Sequence, residues 1–344
     1  MENKQTYVLM SGWARSGAAL TGAMINAHSD AAFSVDVLKY FNFCYKRYPK
    51  LNQDVLVVMV KEMHIRLKAR FGIDLDMDYC LKTIGDNMDH WYIYKVLMSH
   101  IVARKSLKKI VGEYEGVVWG KIPCLLDNVK NSKAILIVRD PRDVLVSFKK
   151  NTIAPKNDYL ITVFNYLDLM ESWVKYEKLY PDRVLGIRFE RLKSDPELVA
   201  RKICIFLDIE FEPGMLNNDQ WKVLKNNNWE VWENHNTSSF RDNDNLKSNP
   251  VGRWKELIDP VDHFICEWIL RDVMTLFDME LTFSRPSSKI LEIAIDRLMS
   301  SELLKEAFLN YSHKRKGSEK YPIDPCNPSN WDKRYIEDIS LLGI

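Results

Sequence analysis

Five consecutive apolar residues, Ala134-Ile135-Leu136-Ile137-Val138, constrain this chain more than any other stretch. They are bounded by Lys133 and Arg139 and include three β-branched side chains. A strand apolar at every position has no face to give to water, so it belongs in a parallel sheet covered on both sides. Arg139-Asp140-Pro141-Arg142-Asp143 follows, and Pro141 stands where a helix can start. Tyr7-Val8-Leu9-Met10 is a second β-type run. It passes through Ser11-Gly12-Trp13-Ala14-Arg15-Ser16-Gly17 into an amphipathic stretch, Ala18 to Ala27, which reads as strand, tight loop, helix.

Further strands are expected at Val117-Val118-Trp119 and Val184 to Phe189. Helices are expected at Tyr159 to Tyr180, Pro260 to Phe277 and Ile290 to Asn310. Asp195 and Pro196 form a helix start, as N-cap and first-turn proline. Residues 37–115 show helical spacing and no clear strand, and residues 217–250 are polar, a pattern typical of a functional or mobile loop. Strands separated by helices predict an α/β fold: a parallel β-sheet flanked by helices, in three α/β/α layers.

Composition removes several function classes. The 344 residues suit one large domain with an appendage, or two small domains. Lys plus Arg number 49 against 47 Asp plus Glu, a net charge of +2. That balance argues against nucleic-acid binding by bulk charge, so any anion site must be local. The apolar run Val55 to Val60 is far shorter than the about 18 residues of a membrane span. The first residues run into the turn motif and not into an apolar leader. The six cysteines, 44, 80, 124, 204, 266 and 326, show no Cys-x-x-Cys pair, so no metal site is expected and a reducing, cytoplasmic setting fits.

Two segments carry anion-binding chemistry. In the first turn, the amides of Ser16, Gly17, Ala18 and Ala19 would face a site in front of the helix, with Arg15 beside them. The loop lacks the Lys and the magnesium-binding hydroxyl of a nucleoside-triphosphatase loop, and position 18 is Ala. The second segment delivers Arg139 to the carboxyl end of the sheet, with Ser147 about two helical turns further on. Each has a plainer reading: a βα turn without ligand, and a salt-bridge cluster of Arg139, Asp140, Arg142 and Asp143.

Together they resemble the sulfotransferase family, whose donor is 3′-phosphoadenosine-5′-phosphosulfate (PAPS). Ala14-Arg15-Ser16-Gly17-Ala18-Ala19 is similar to the family's 5′-phosphosulfate loop, and Arg139 with Ser147 to its 3′-phosphate motif. Arg188-Phe189-Glu190-Arg191-Leu192 with Asp195-Pro196, and Gly252-Arg253-Trp254, resemble two later family segments in the same order. The resemblance spans residues 5–280. It implies a P-loop-like sulfotransferase domain over 1–284, with a helical acceptor-side insertion at about 37–115 and a mobile loop at about 217–250; it does not cover 285–344, where the amphipathic pattern predicts a C-terminal helical extension.

The resemblance further implies transfer of a sulfuryl group from PAPS to an acceptor hydroxyl of a carbohydrate, lipid or natural product. 3′,5′-Adenosine bisphosphate (PAP) would be the product, and no metal is required. Arg15 and Lys121, within Gly120-Lys121-Ile122-Pro123, would neutralise charge, and Asp36 would take the proton. His64, His90 and His100 are the alternative bases, without a matching motif. Gly252, Arg253 and Trp254 join Arg15 to Ala19, Arg139 and Ser147 as donor contacts. Ser238 or Ser239 could also touch the donor, and Trp229 or Trp232 could stack on an acceptor. The chain departs from the pattern at Ala18-Ala19, where relatives carry paired threonines, and at Ala14, where they carry proline. The Ala18-Ala19 change keeps one rival open, a degenerate PAPS-fold protein that binds without catalysis, whereas Ala18 and Arg139 stand against the other, a P-loop kinase, which would need a magnesium-binding hydroxyl and a strand-end Asp there.

Overall fold

The computed structural model describes residues 5–104, 107–151, 156–231, 250–283, 285–321 and 327. β1 (Thr6–Gly12) leads into α1 (Ala18–Asn26) and β2 (Ala31–Val35). Three helices follow, α2 (Gln53–Phe71), α3 (Met77–Ile84) and α4 (His90–Leu97), before β3 (Ile110–Tyr114). Then come α5 (Ile122–Asn128), β4 (Ser132–Val138), α6 (Pro141–Asn151), α7 (Ile161–Leu179) and β5 (Val184–Arg188). α8 (Phe189–Ser194) and α9 (Pro196–Leu207) precede a small hairpin, β6 (Lys222–Lys225) and β7 (Asn228–Val231). α10 (Trp254–Leu257), α11 (Pro260–Leu276), α12 (Ser288–Leu298) and α13 (Glu302–Lys314) complete the described chain.

The main sheet has the order β2-β3-β1-β4-β5, every neighbouring pair parallel. β1 sits at its centre, with Met10 beside both Tyr114 of β3 and Ile135 of β4. The continuous apolar run behaves as its composition demands. Ala134, Leu136 and Val138 enter one core with α2, α5, α7 and α11, whereas Ile135 and Ile137 enter the other with α1 and α9. All five strands end at the same edge, where the loops that carry the anion motifs emerge.

Some expectations need correction. Val117-Val118-Trp119 is not a strand: Trp119 opens a short 3-10 turn, and the strand lies just upstream as β3. Segment 37–115 is therefore helical only in its earlier part and ends in a strand at the heart of the sheet. The expected helix from Ile290 to Asn310 is broken at Met299–Ser301, where Ser301 caps α13 by accepting from Leu304 N–H. The expected mobile loop begins with the ordered hairpin, and residues 232–249, with Trp232, Ser238 and Ser239, lie outside the described residues.

Candidate active site

Gly12 of β1 lies opposite Ile137 of β4, so the two anion motifs leave the sheet side by side. Between β1 and α1 the backbone turns left-handed at Arg15 (φ 72°) and Gly17 (φ 92°). A side chain at Gly17 could not fit, because a Cβ would stand 2.1 Å from the Phe189 ring. Arg15 holds a conformation costing of order 1 kcal/mol, strain of the kind that collects at ligand sites. Among the described residues no side chain caps the N-terminus of α1, and its first turn holds no acidic residue. The first amides of α1 thus have no side-chain partner there, an end suited to an anion, whereas the Ser16 amide, expected to face the site, donates to the Trp13 carbonyl at 3.3 Å.

The two motifs meet in space. Arg15 donates from Nε to Ser147 Oγ at 3.0 Å. Arg139 donates to the carbonyls of Arg15 (3.3 Å) and Pro250 (2.6 Å). Buried Tyr166 ties the halves together: its hydroxyl bonds Ser16 Oγ at 2.6 Å and the backbone of Arg139. Burial, and then the neighbouring Arg139, lower the pKa of Arg15. Asp143 lies 3.6 Å from Arg139, but its carboxylate already accepts the amides of Gly252 (2.8 Å) and Trp254 (2.9 Å). Burial pushes the Asp143 carboxyl up, and Arg139 and those two amides oppose the rise.

Arg15 and Arg139 thus bring two guanidinium groups to one crevice, where the Asp143 carboxylate near Arg139 is already held by two amides. Arg139 Nε and Trp13 Nε1 are buried N–H groups with no hydrogen-bond partner among the described residues. A buried guanidinium N–H without a partner among those residues fits a phosphorylated ligand. Gly252, Arg253 and Trp254 are brought to this crevice by Asp143, with Gly252 left-handed at φ 79° and Arg253 exposed.

Arg142 has a different task. Its buried guanidinium clamps Asp140 (2.8 Å) and Glu267 (2.7 Å) and lies 3.7 Å from the Trp254 ring centre. Despite its burial, Glu267 is held at about 2 by hydrogen bonds from His263 and the amides of Phe283 and Thr282.

Lys121 ends the 3-10 turn before α5 and lines a cavity of about 490 Å³ with Phe41, Asn42, Lys46, Glu319 and Tyr321. Asp36 lies at the end of β2 with φ 57°, its carboxylate 2.9 Å from Lys39 Nζ. It is not among the residues that line this cavity. The three histidines serve elsewhere. His90 bonds Tyr40 OH and the Tyr48 carbonyl, His64 accepts from Leu75 N–H, and His100 stacks on Tyr79. Trp229 sits in β7 and packs against the larger core.

Sequence reasoning missed Tyr166, Glu113 and Glu115. The two glutamates alternate along and just beyond β3, and each carboxylate accepts two amides of the segment after β2. Glu113 takes Leu38 (2.5 Å) and Lys39 (3.1 Å), and Glu115 takes Phe41 (3.2 Å) and Asn42 (2.7 Å). Acidic residues two apart beside Ile110 and Val111 were the available signal.

The family model described as the sulfotransferase domain matches residues 5–274. The chain belongs to the sulfotransferase family. Its curated relatives include sulfotransferase 2A6 of Rattus norvegicus, 32% identical over 101 residues, covering 25% of this chain and 35% of the relative. Sulfotransferase 2A1 of Rattus norvegicus is 30% identical over 142 residues, covering 36% of this chain and 50% of the relative. The alignments thus span half or less of those relatives' length. Among solved structures, the sulfotransferase domain of the Synechococcus PCC 7002 olefin synthase matches with TM-score 0.53 at 16% identity, covering 81% of this chain and 96% of that one. The sulfotransferase domain from the curacin biosynthetic pathway matches with TM-score 0.51 at 19% identity, covering 81% and 99%. These likenesses bear on the fold of this sulfotransferase: a central parallel sheet between helical layers.

Proposed function

We propose that this sulfotransferase moves a sulfuryl group from PAPS to the hydroxyl of a small-molecule acceptor. The observation that carries the reading is the convergence of Arg15, Ser147 and Arg139 in front of uncapped α1. The residues fit the donor. Ser16, Gly17, Ala18, Ala19 and Arg15 would hold its 5′ end, and Arg139 and Ser147 its 3′-phosphate. Gly252, Arg253 and Trp254 would close over it. The donor, when bound, supplies an activated sulfuryl group on a phosphate leaving group.

By analogy with phosphoryl transfer, the protein's share is position and charge. Arg15 is assigned to the leaving oxygen and Lys121 to charge on the transferring group. A carboxylate must accept the hydroxyl proton. Asp36 is the residue the motif pattern nominates, and its pairing with Lys39 makes a second cavity carboxylate, Glu319, worth weighing. A cavity of about 490 Å³ favours a compact acceptor.

Among the described residues no helix is long and apolar enough to cross a membrane. The described cysteines, Cys44, Cys80, Cys124, Cys204 and Cys266, are free thiols, which supports a reducing, cytoplasmic setting as part of the same proposal. Incubation with sulfur-labelled PAPS and hydroxyl-bearing metabolite fractions tests the reading. Label in an acceptor, with release of PAP, is expected; PAP binding without transfer to any fraction would instead favour the binding-only rival.

A further inference from the structure

The chain beyond the family-matched region folds back onto the cavity. Arg315 turns left-handed (φ 53°) at the end of α13 and sends the chain across α7. Gly317 passes so close that a Cβ would lie 2.4 Å from the backbone of Phe164 and Asp168. Ser318 N–H donates to the Phe164 carbonyl at 3.0 Å. The buried amide of Asn165 satisfies both backbone groups of Lys320, at 2.8 and 2.9 Å. Tyr321 donates to the Gly116 carbonyl at 2.5 Å and stacks on Trp13, with ring centres 5.9 Å apart. These anchors lie on α7, on the turn after β3 and on the loop after β1, the elements that frame the site.

Between these anchors Glu319 reaches into the cavity that Lys121 lines, and its carboxylate accepts Gly120 N–H at 2.6 Å. We propose that residues 317–321 form the acceptor-side wall of the site and that Glu319 is the carboxylate that takes the proton of the acceptor hydroxyl. The assignment rests on the sulfotransferase reading above. Two observations favour Glu319 over Asp36. Asp36 is engaged by Lys39 and absent from the cavity lining, whereas Glu319 lines the cavity beside Lys121. The second carboxylate oxygen of Glu319 is also spared by the Gly120 amide, which occupies only Oε1.

Burial raises the Glu319 carboxyl above its ordinary range, the Gly120 amide opposes that, Asp168 on α7 adds to it, and Lys121 and Lys46 oppose it. Arg47 and Lys320 are the other charged groups at the cavity, paired with Glu62 and Glu306. A carboxylate made more basic by burial and flanked by two lysines suits proton abstraction. In the step, the acceptor oxygen gives its proton to Glu319 and forms a bond to sulfur. The bond from sulfur to the phosphate oxygen breaks, its electron pair leaves with PAP, and Glu319 later returns the proton to water.

The test uses the full chain, labelled PAPS and a panel of phenols, primary alcohols and monosaccharides as probes. Glu319→Gln keeps an oxygen for Gly120 N–H, so the wall should stay in place. Its kcat is expected to fall about 10²-fold or more. PAP affinity by calorimetry should be unchanged, and the acid limb of the kcat–pH profile should vanish. Glu319→Asp should keep that limb at a reduced rate, and Asp36→Asn should affect kcat far less than Glu319→Gln. A Glu319→Gln enzyme with wild-type kcat and profile overturns the assignment. So does PAP affinity that falls in step with rate, which marks a structural role. A wild-type profile without an acid limb overturns it with no variant needed. If the wild type binds PAP but sulfates no member of the panel, the functional reading fails first, and this assignment falls with it.

Discussion

Arg139 carries the sharpest test of donor recognition. Its Nε is a buried donor without a partner among the described residues, while its other nitrogens hold the Arg15 and Pro250 carbonyls. A 3′-phosphate would complete it. The wild type should bind PAP more tightly than AMP, and Arg139→Ala should remove about 1.5–3 kcal/mol of that preference. Calorimetric titration with both nucleotides decides, and equal wild-type affinities would sink the assignment. The alanine pair splits into two cases. Ala18 is buried and Ala19 half-buried, so only position 19 has room for a larger side chain. Ala19→Thr should tighten PAP by roughly tenfold, the worth of one added hydrogen bond to a charged group. Ala18→Thr should instead cost about 1–3 kcal/mol of stability through overpacking, read from urea midpoints. Unchanged affinity in Ala19→Thr would mean that the helix amides suffice. Arg139 and Ser147 were legible because one strand and the helix after it fix their spacing. Tyr166 was not, since a tyrosine within a helical pattern reads as core until its partner is seen.

β3 and the segment after β2 form the pH-sensitive element. Burial and mutual repulsion push Glu113 up to about 8, against the pull of Arg66 and the Leu38 amide. Burial pushes Glu115 up to about 7, opposed by Lys39 and the amides of Asn42 and Phe41. Both start from 4.5 in the unfolded chain, so between that pH and about 8 the folded state binds more protons. Their contribution to stability is therefore full below pH 4.5 and is lost as pH rises through the folded values. Wild-type urea midpoints should decline across this window. Glu113→Gln, although less stable throughout for want of a second acceptor, should show a flatter decline; an equal slope would refute the linkage. The same element explains why two strands escaped sequence reading. Gly112 and Glu113 interrupt the apolar pattern of β3 for structural reasons: the Phe33 ring lies 2.5 Å from where a Gly112 Cβ would be, and Glu113 holds the neighbouring turn. β2, Ala31-Ala32-Phe33-Ser34-Val35, is too weakly apolar to stand out.

At the level of the whole molecule, α12 is fastened to the domain by charge. Arg297 lies 2.7 Å from Asp259 and 2.6 Å from Asp262, and Asp262 is buried against Lys149 and Tyr159. Arg297→Ala should cost about 3 kcal/mol, because it leaves a buried carboxylate with one cation fewer. The loss should appear as one earlier transition in thermal unfolding, and an independent early melt of the C-terminal helices would contradict this. The sheet was legible from its central strand, since only burial on both faces tolerates such a run. The return of residues 317–321 was not, because nothing local records that a glycine will cross α7 or that an asparagine will grip a passing backbone. That return has a practical consequence. The proposed donor contacts come from the ends of β1 and β4 and from α6, whereas Glu319, Lys320 and Tyr321 arrive from outside residues 5–274. Substitutions at Lys320, whose side chain pairs with Glu306, would reshape one side of the cavity while Tyr321 keeps its stack on Trp13. A library randomised at Lys320 would then sample new acceptors at constant nucleotide affinity, a route by which one catalyst can diverge into several.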